Sequence, residues 1–216
     1  IRALKMHGKQ DINDLEKENI EALKIGTDNL KQHLENIQKF GLNVVVAINH
    51  FATDTENEIN FLKNWCKENN YKVSFLDGYL LGADGSKELS YLVKEELQKE
   101  SHFQPLYSIN MPTKEKIEKI CKEIYRADDV EFSKEAEEDL KKYHALGFDH
   151  TYICMAKTPN SFSDDPLLLN TPRGFKIHIR KVNLSSGANF LIPLTGSILT
   201  LPGLPKIPQA VKMENE

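Results

Sequence analysis

Along residues 29–99 the spacing of apolar positions changes period repeatedly, and those changes lay out the first half of the chain. Leu30, Leu34 and Ile37 recur at i, i+4 and i+7 with Gly41 behind them, which predicts a helix over Asn29–Phe40 closed by that glycine. Val44, Val45, Val46, Ala47 and Ile48 then run unbroken and rich in β-branched residues, the composition of a parallel strand buried on both faces. Polarity switches at Asn49 and His50, and Thr53, Asp54 and Thr55 open a helix with two alternative capping boxes, Thr55-x-x-Glu58 and Thr53-x-x-Glu56. Ile59, Leu62 and Cys66 mark the inner face of that helix over Thr55–Asn69. Tyr71–Leu76 reads as a second strand, reached by a right-handed crossover. Asp77–Ser86 is a turn whose Gly78, Gly82 and Gly85 permit tight geometry, and a helix follows over Lys87–Lys99. The order α-β-α-β-α is the repeating unit of a doubly wound sheet. Upstream, Asp11–Lys24 is charged and helix-prone, with Leu15, Ile20 and Leu23 as its stripe and Gly26 as its stop. Ile1–His7 has no initiator Met and reads as the interior of something already folded.

The second half has a different texture. None of the nine prolines precedes Pro105, and seven lie from Pro159 onward, so uninterrupted helices give way to shorter elements. Thr113–Ala127 is a clean amphipathic helix through Ile117, Ile120, Cys121 and Ile124, and Ser133 caps another carrying Ala136, Leu140 and Tyr143 before Gly147. Tyr152–Ala156 reads as a strand. Gly174–Lys181 alternates Phe175, Ile177 and Ile179 inward against Lys176, His178 and Arg180 outward. Asn189–Leu194 is a further strand and Leu201–Pro208 an irregular proline-rich tail. The change of texture predicts a boundary near residue 105, with an α/β unit over 1–104 and an α+β unit over 105–216.

Composition narrows the partners. A formal net charge of −4 and a pI near 6.0 offer no basic face for nucleic acid. No apolar stretch approaches the ~20 residues that span a bilayer, and no signal peptide is expected. Cys66, Cys121 and Cys154 are odd in number and far apart, which predicts reduced, mostly buried thiols in a cytoplasmic protein. His7-Gly8-Lys9 holds a Gly-Lys pair without the rest of a phosphate loop, and the glycines at 78, 82 and 85 do not spell a dinucleotide fingerprint. His144 and His150 lack metal-ligand spacing, so no metal is expected. Lys157 and the hydroxyl- and carboxylate-rich Ser161, Ser163 and Asp164 fit a hydrogen-bonded turn as well as they fit a ligand loop.

Phe51 and Tyr79 are harder to explain as packing. Each stands in a turn leaving the carboxyl end of one of two neighbouring parallel strands, where open α/β sheets bind ligands. Two aromatic rings so placed form opposite walls of a slot for a flat heteroaromatic ring, and Asn49, Asp54 and Gly82 are the turn residues nearest a ligand there. Stacking contributes roughly 0.5–1.5 kcal/mol per aromatic pair beyond burial, enough to orient a ligand without binding it alone. The pattern supplies no nucleophile and no base, so no catalytic residue is assigned.

Longer stretches carry a resemblance. RALKMHG at Arg2–Gly8, VVVAINHFATDT at Val44–Thr55, CMAKTPNSFSDDP at Cys154–Pro166, GFKIHIR at Gly174–Arg180 and LSSGANFLIPLTGSILTLPGLPK at Leu184–Lys206 together resemble the C-terminal part of formate–tetrahydrofolate ligases. The resemblance implies an ATP-dependent ligase that joins formate to tetrahydrofolate through formyl phosphate, giving 10-formyltetrahydrofolate, ADP and phosphate. It implies that Phe51 matches an aromatic on one side of the folate ring, that Tyr79 stands where a Trp is usual on the other, and that Phe75 lies near the slot. The turn reads YLLGADGS where W-x-x-G-G-x-G-G is usual; Lys9 and Asn189 stand where glycine is common, and Ser197 where an acidic residue is common.

The same resemblance puts the phosphate loop and the formyl-phosphate cations upstream of these residues. By it, ATP with Mg and tetrahydrofolate are substrates of a parent enzyme, a cytoplasmic homotetramer, and this piece alone is inactive without its N-terminal part. The expected fold class is α/β, a parallel-sheet P-loop-NTPase-like half followed by a smaller α+β half. Two other readings stay open at this level: a GTPase-type base-recognition strand, although His50 replaces the Lys of N-K-x-D and Asp54 is displaced, and a non-catalytic assembly domain.

Overall fold

The apolar run does form a strand, and its neighbour pairs with it in parallel. In the computed structural model, which describes residues 1–196 and residue 198, β1 (Val45–Asn49) and β2 (Lys72–Leu76) run side by side with Ile48 opposite Phe75 and Asn49 opposite Leu76. The crossover between them is α3 (Glu56–Glu68). Burial of β1 alternates instead of covering both faces: Val46 and Ile48 are buried while Ala47 and Asn49 are exposed. The reason is unequal cover. One face receives α1 (Arg2–His7), α2 (Ile20–Gln38) and α3, whose Leu23, Leu34, Leu62 and Cys66 close over Val46 and Ile48. The other receives α5 (Lys87–Glu96), which packs against both strands while Val93 and Leu97 stay exposed.

Gly26 does not stop a helix. α2 runs through it, because a Cβ there would lie 1.9 Å from the Leu4 carbonyl oxygen; the residue lets α1 cross α2 at backbone distance. Gly8 does the same from the other side, against the Ala22 carbonyl. The charged segment before α2 is not one helix either. It makes a short 3₁₀ turn at Ile12–Asp14, and α2 starts only at Ile20, where the Asn19 side chain accepts from the Ala22 N–H. Gly41, at φ +68°, does follow the helix end as expected.

The second half builds one mixed sheet. Its strands are β3 (Asp129–Phe132), β4 (Tyr152–Ile153), β5 (Lys176–Ser185) and β6 (Phe190–Thr195), in the order β3-β5-β6-β4 with only β5 and β6 antiparallel. Helices α6 (Thr113–Glu123) and α7 (Lys134–Ala145) pack on it. Phe175, Ile177 and Ile179 point inward as their alternation requires, and with Ile117, Cys121, Ala136 and Leu191 they form a single apolar core.

Strand β4 is shorter than its apolar run. Cys154 N–H bonds to the Leu191 carbonyl and Ala156 N–H to the Pro193 carbonyl, but Pro193 has no N–H to return to Cys154, so the parallel ladder is interrupted there. Cys66 and Cys121 are buried, whereas Cys154 is exposed. The proline-rich Leu201–Pro208 and Ser197 lie outside the described residues.

Candidate functional site

A single carboxylate ties the first three helices together. Glu58 is the third residue of α3, and its side chain accepts from the Thr55 N–H while Thr55 Oγ1 accepts from the Glu58 N–H, so the capping box forms at Thr55 and not at Thr53. The same carboxylate accepts from the Asn19 N–H at 3.0 Å and from Lys5 Nζ at 2.8 Å, and both Lys5 and Glu58 side chains are fully buried. Burial alone would raise the Glu58 pKa, but the Lys5, Asn19 and Thr55 hydrogen bonds outweigh it and hold the carboxyl below its usual range. Helices α1, α2 and α3 are thereby pinned to one point beneath the β1 turn.

That turn is closed on itself. Phe51 N–H donates to Asp54 Oδ2 at 2.9 Å and Asp54 N–H to the Phe51 carbonyl at 2.8 Å. Asp54 Oδ2 thereby braces the turn, while Oδ1 has no hydrogen-bond partner. Phe51 is left 42% exposed, with the Arg2 guanidinium 4.5 Å from its ring centroid. Arg2 is held there by Glu16 and Thr53 Oγ1, each 3.0 Å away. The opposite turn begins at Asp77, whose N–H bonds to the Gly85 carbonyl, and continues as the short helix α4 (Gly78–Leu81). Tyr79 projects from α4 and is 94% exposed.

Phe51 and Tyr79 line one cavity of about 540 Å³, together with Arg2, Asn49, His50, Ala52, Thr53 and Leu80. Phe75 and Gly82 are not in its wall. Phe75 packs into the core with Ile48 and Leu62, its ring 4.8 Å beneath that of His50. Gly82 has φ +57° at the exit of α4. Arg2 and His50 are the wall residues with basic side chains, and neither is among the expected ligand-contacting residues. His50 directly precedes Phe51 in the chain, whereas Arg2 owes its place to tertiary contacts, though its position in RALKMHG is a usable signal.

Two further cavities lie at the seam between the halves. The larger, about 600 Å³, is apolar and lined by residues such as Phe40, Phe103, Tyr107 and Tyr152, with no carboxylate, lysine or arginine. The smaller, about 250 Å³, holds His7, His33 and Lys157. Burial pushes the Lys157 amine down to about 8, yet it donates to the Thr158 and Ser161 carbonyls. Ser161, Ser163 and Asp165 bond to one another's side chains and backbone, and Asp164 Oδ2 accepts from the His178 N–H at 2.9 Å, so this segment is a self-braced turn.

His7-Gly8-Lys9 closes α1 instead of opening a helix, the reverse of a phosphate loop. Among the described residues no three His, Cys, Asp or Glu side chains converge on a metal position, and no helix is long and apolar enough to cross a membrane.

Comparison with known proteins gives a consistent result. Residues 1–216 match the family model described as formate–tetrahydrofolate ligase. The formate–tetrahydrofolate ligases of Staphylococcus aureus strains Newman and JH9 are each 46% identical to this chain over 214 residues, covering 99% of it and 39% of the relative. The chain thus spans about two fifths of the length of the curated relatives it matches.

Proposed function

This chain belongs to the formate–tetrahydrofolate ligase family, and from that premise we propose that it supplies part of the folate-binding wall of an ATP-dependent ligase. The observation carrying the proposal is the pair of rings, Phe51 and Tyr79, which reach one cavity from the ends of two adjacent parallel strands. The pyrimidinone ring of a reduced pterin is flat and presents apolar faces, the shape such a slot accepts. The Arg2 guanidinium lies over the Phe51 ring and lines the same cavity.

The reaction assigned to the whole protein is the joining of formate to tetrahydrofolate through formyl phosphate, with ATP and its magnesium bound by residues outside this chain. Phosphoryl transfer of that kind needs positioned cations and backbone amides around the phosphates. The chain's own part is to hold and orient the folate. We read residues 1–104 and 105–216 as two units, a division supported by the separation of the apolar clusters, and the whole protein as a cytoplasmic homotetramer by family resemblance.

Substituting Phe51→Ala in the full-length ligase is expected to weaken tetrahydrofolate binding by about tenfold, through lost stacking and burial, with ATP affinity unchanged. Tyr79→Trp, which enlarges the second wall, is expected to tighten it. Equal loss of folate and ATP binding in Phe51→Ala would assign that ring to the fold.

A further inference from the structure

One residue of the same cavity wall, His50, has no part in the stacking, and Phe75 and Asp77 lie against it from outside that wall. His50 donates its backbone N–H to the Leu76 carbonyl at 3.0 Å, which extends the β1–β2 ladder by one step and fixes where its side chain begins. The imidazole lies over Phe75 at 4.8 Å between centroids, tilted by 45°. Its Nδ1 is 3.4 Å from Asp77 Oδ2.

Asp77 stands at the N-cap of α4, a position where a carboxylate ordinarily accepts a helix N–H, yet its side chain makes no cap bond. Its backbone is fixed by the bond to the Gly85 carbonyl, and Gly85 leaves no room for a Cβ, which would lie 2.2 Å from the Asp77 carbonyl oxygen. His50 Nδ1 and Asp77 Oδ1 are both enclosed and without hydrogen-bond partners. Nε2, unlike Nδ1, is not enclosed, and His50 stands in the cavity wall with Phe51 and Tyr79. Arg2, the charged group in that wall, is engaged by Glu16 and Thr53 through one guanidinium nitrogen, while its Nε is enclosed without a partner.

We propose that His50 is the in-plane recognition residue of this cleft: its Nε2 accepts a hydrogen bond from an N–H or amino group on the edge of the flat heterocycle held between Phe51 and Tyr79. Asp77 is the positioning residue, favouring the proton on Nδ1 and so leaving Nε2 as an acceptor. Stacking fixes the plane of a ring but leaves it free to slide and rotate within that plane; one directed edge contact removes that freedom. The proposal rests on the folate reading of the cleft, since the amino-pyrimidinone edge of a pterin carries such donors.

The test uses the full-length ligase and tetrahydrofolate as the probe. His50→Phe keeps a ring on Phe75 and removes both nitrogens; it should raise the dissociation constant and KM for tetrahydrofolate by about three- to tenfold, the range of one neutral hydrogen bond, with KM for ATP held. His50→Gln, which restores a side-chain acceptor, should recover most of that loss, and Asp77→Asn should show a smaller loss in the same direction. In the unsubstituted protein the ¹⁵N resonance of His50 Nε2 should shift on adding tetrahydrofolate.

The idea is overturned if His50→Phe binds tetrahydrofolate normally, if His50→Gln loses as much as His50→Phe, or if the loss falls on kcat alone. Phe51→Ala separates the two levels. If it weakens folate binding and His50→Phe does not, only the edge contact is wrong; if neither does, the folate reading itself falls.

Discussion

The two halves of the molecule bury lysine differently. In the first, Lys5 is fully buried against the equally buried carboxylate of Glu58, a bond between α1 and α3, and donates besides to the Lys17 carbonyl at 2.9 Å. In the second, Lys116 is as deeply buried but donates to the carbonyls of Asp149 and Thr151, and Lys157 to those of Thr158 and Ser161. The contrast follows the distribution of apolar packing. Among the described residues, eleven buried ones form one core in the second half, whereas six of the first half's buried apolar residues fall into two clusters of three on a two-stranded sheet. Where the core is large, a lysine stem is absorbed and its amine trims loop carbonyls. Where the core is thin, an ion pair ties together helices that apolar contact alone holds weakly.

The sharpest way to break that comparison is to cut the tie. Lys5→Met leaves a carboxylate buried without its cation and should cost about 3–5 kcal/mol in urea denaturation of the intact protein. Its mark in hydrogen exchange should be regional, with α2 and α3 amides exchanging faster and β5 and β6 amides unchanged. Adding Glu58→Gln, which keeps the cap on Thr55 without the charge, should return part of the loss. Ile177→Ala makes the mirror experiment. It should cost about 2–5 kcal/mol by leaving a cavity, and its exchange signature should fall on β5 and β6. Identical exchange patterns for the two variants would mean that the halves unfold as one unit and that the contrast has no energetic content.

Sequence made visible what depends on neighbours a few residues away. The Thr55 capping box, the Ser133 cap and the inward set Phe175, Ile177 and Ile179 are local patterns, and the structure has them. What pattern could not reveal depends on distant partners. Strand β3 is four residues long with two carboxylates, and it exists through its parallel pairing with β5. Gly26 has the look of a stop because glycine usually is one; only the passage of α1 shows that it is a crossing point. The same holds at the site. Phe51 and Tyr79 could be placed from strand-end logic, while Arg2 over Phe51 and Asp77 against His50 join residues 49 and 27 positions apart.

Proton linkage sharpens the contrast at a smaller scale. The Glu58 carboxyl is held below its ordinary range, so its contribution is fully present above the unfolded value near 4.3 and is lost as pH falls through the lower folded value. Acid should therefore loosen the first half first, and Glu58→Gln should flatten that loss. Lys157 works at the other end. Burial lowers it to about 8, against ~10.4 unfolded, so between those values the unfolded chain binds more protons and stability rises with pH. Its neighbour Cys121 opposes this, because burial pushes the thiol up to about 12 and the unfolded chain releases that proton first. Lys157→Met should remove the rising contribution and leave the falling one. Its denaturation free energy should thus decline more steeply than that of the parent from pH 8 to 10, and parallel profiles would contradict the assignment.

The smallest effect concerns two non-glycine residues held at positive φ. Lys9 takes φ +68° at the exit of α1, and Asn189 takes φ +55° between β5 and β6. A left-handed conformation costs an ordinary side chain roughly 1–2 kcal/mol, and glycine gives part of that relief back through its freer unfolded chain. Lys9→Gly should consequently stabilise the protein by up to about 1 kcal/mol. Asn189→Gly should do almost nothing. Asparagine tolerates this region, and the Asn189 amide also donates to the His150 carbonyl at 3.4 Å, a contact glycine would forfeit. If the two variants stabilised equally, backbone strain alone would explain both. A gain at residue 9 alone would show that the asparagine at 189 already suits its backbone conformation, while Lys9 still carries the strain.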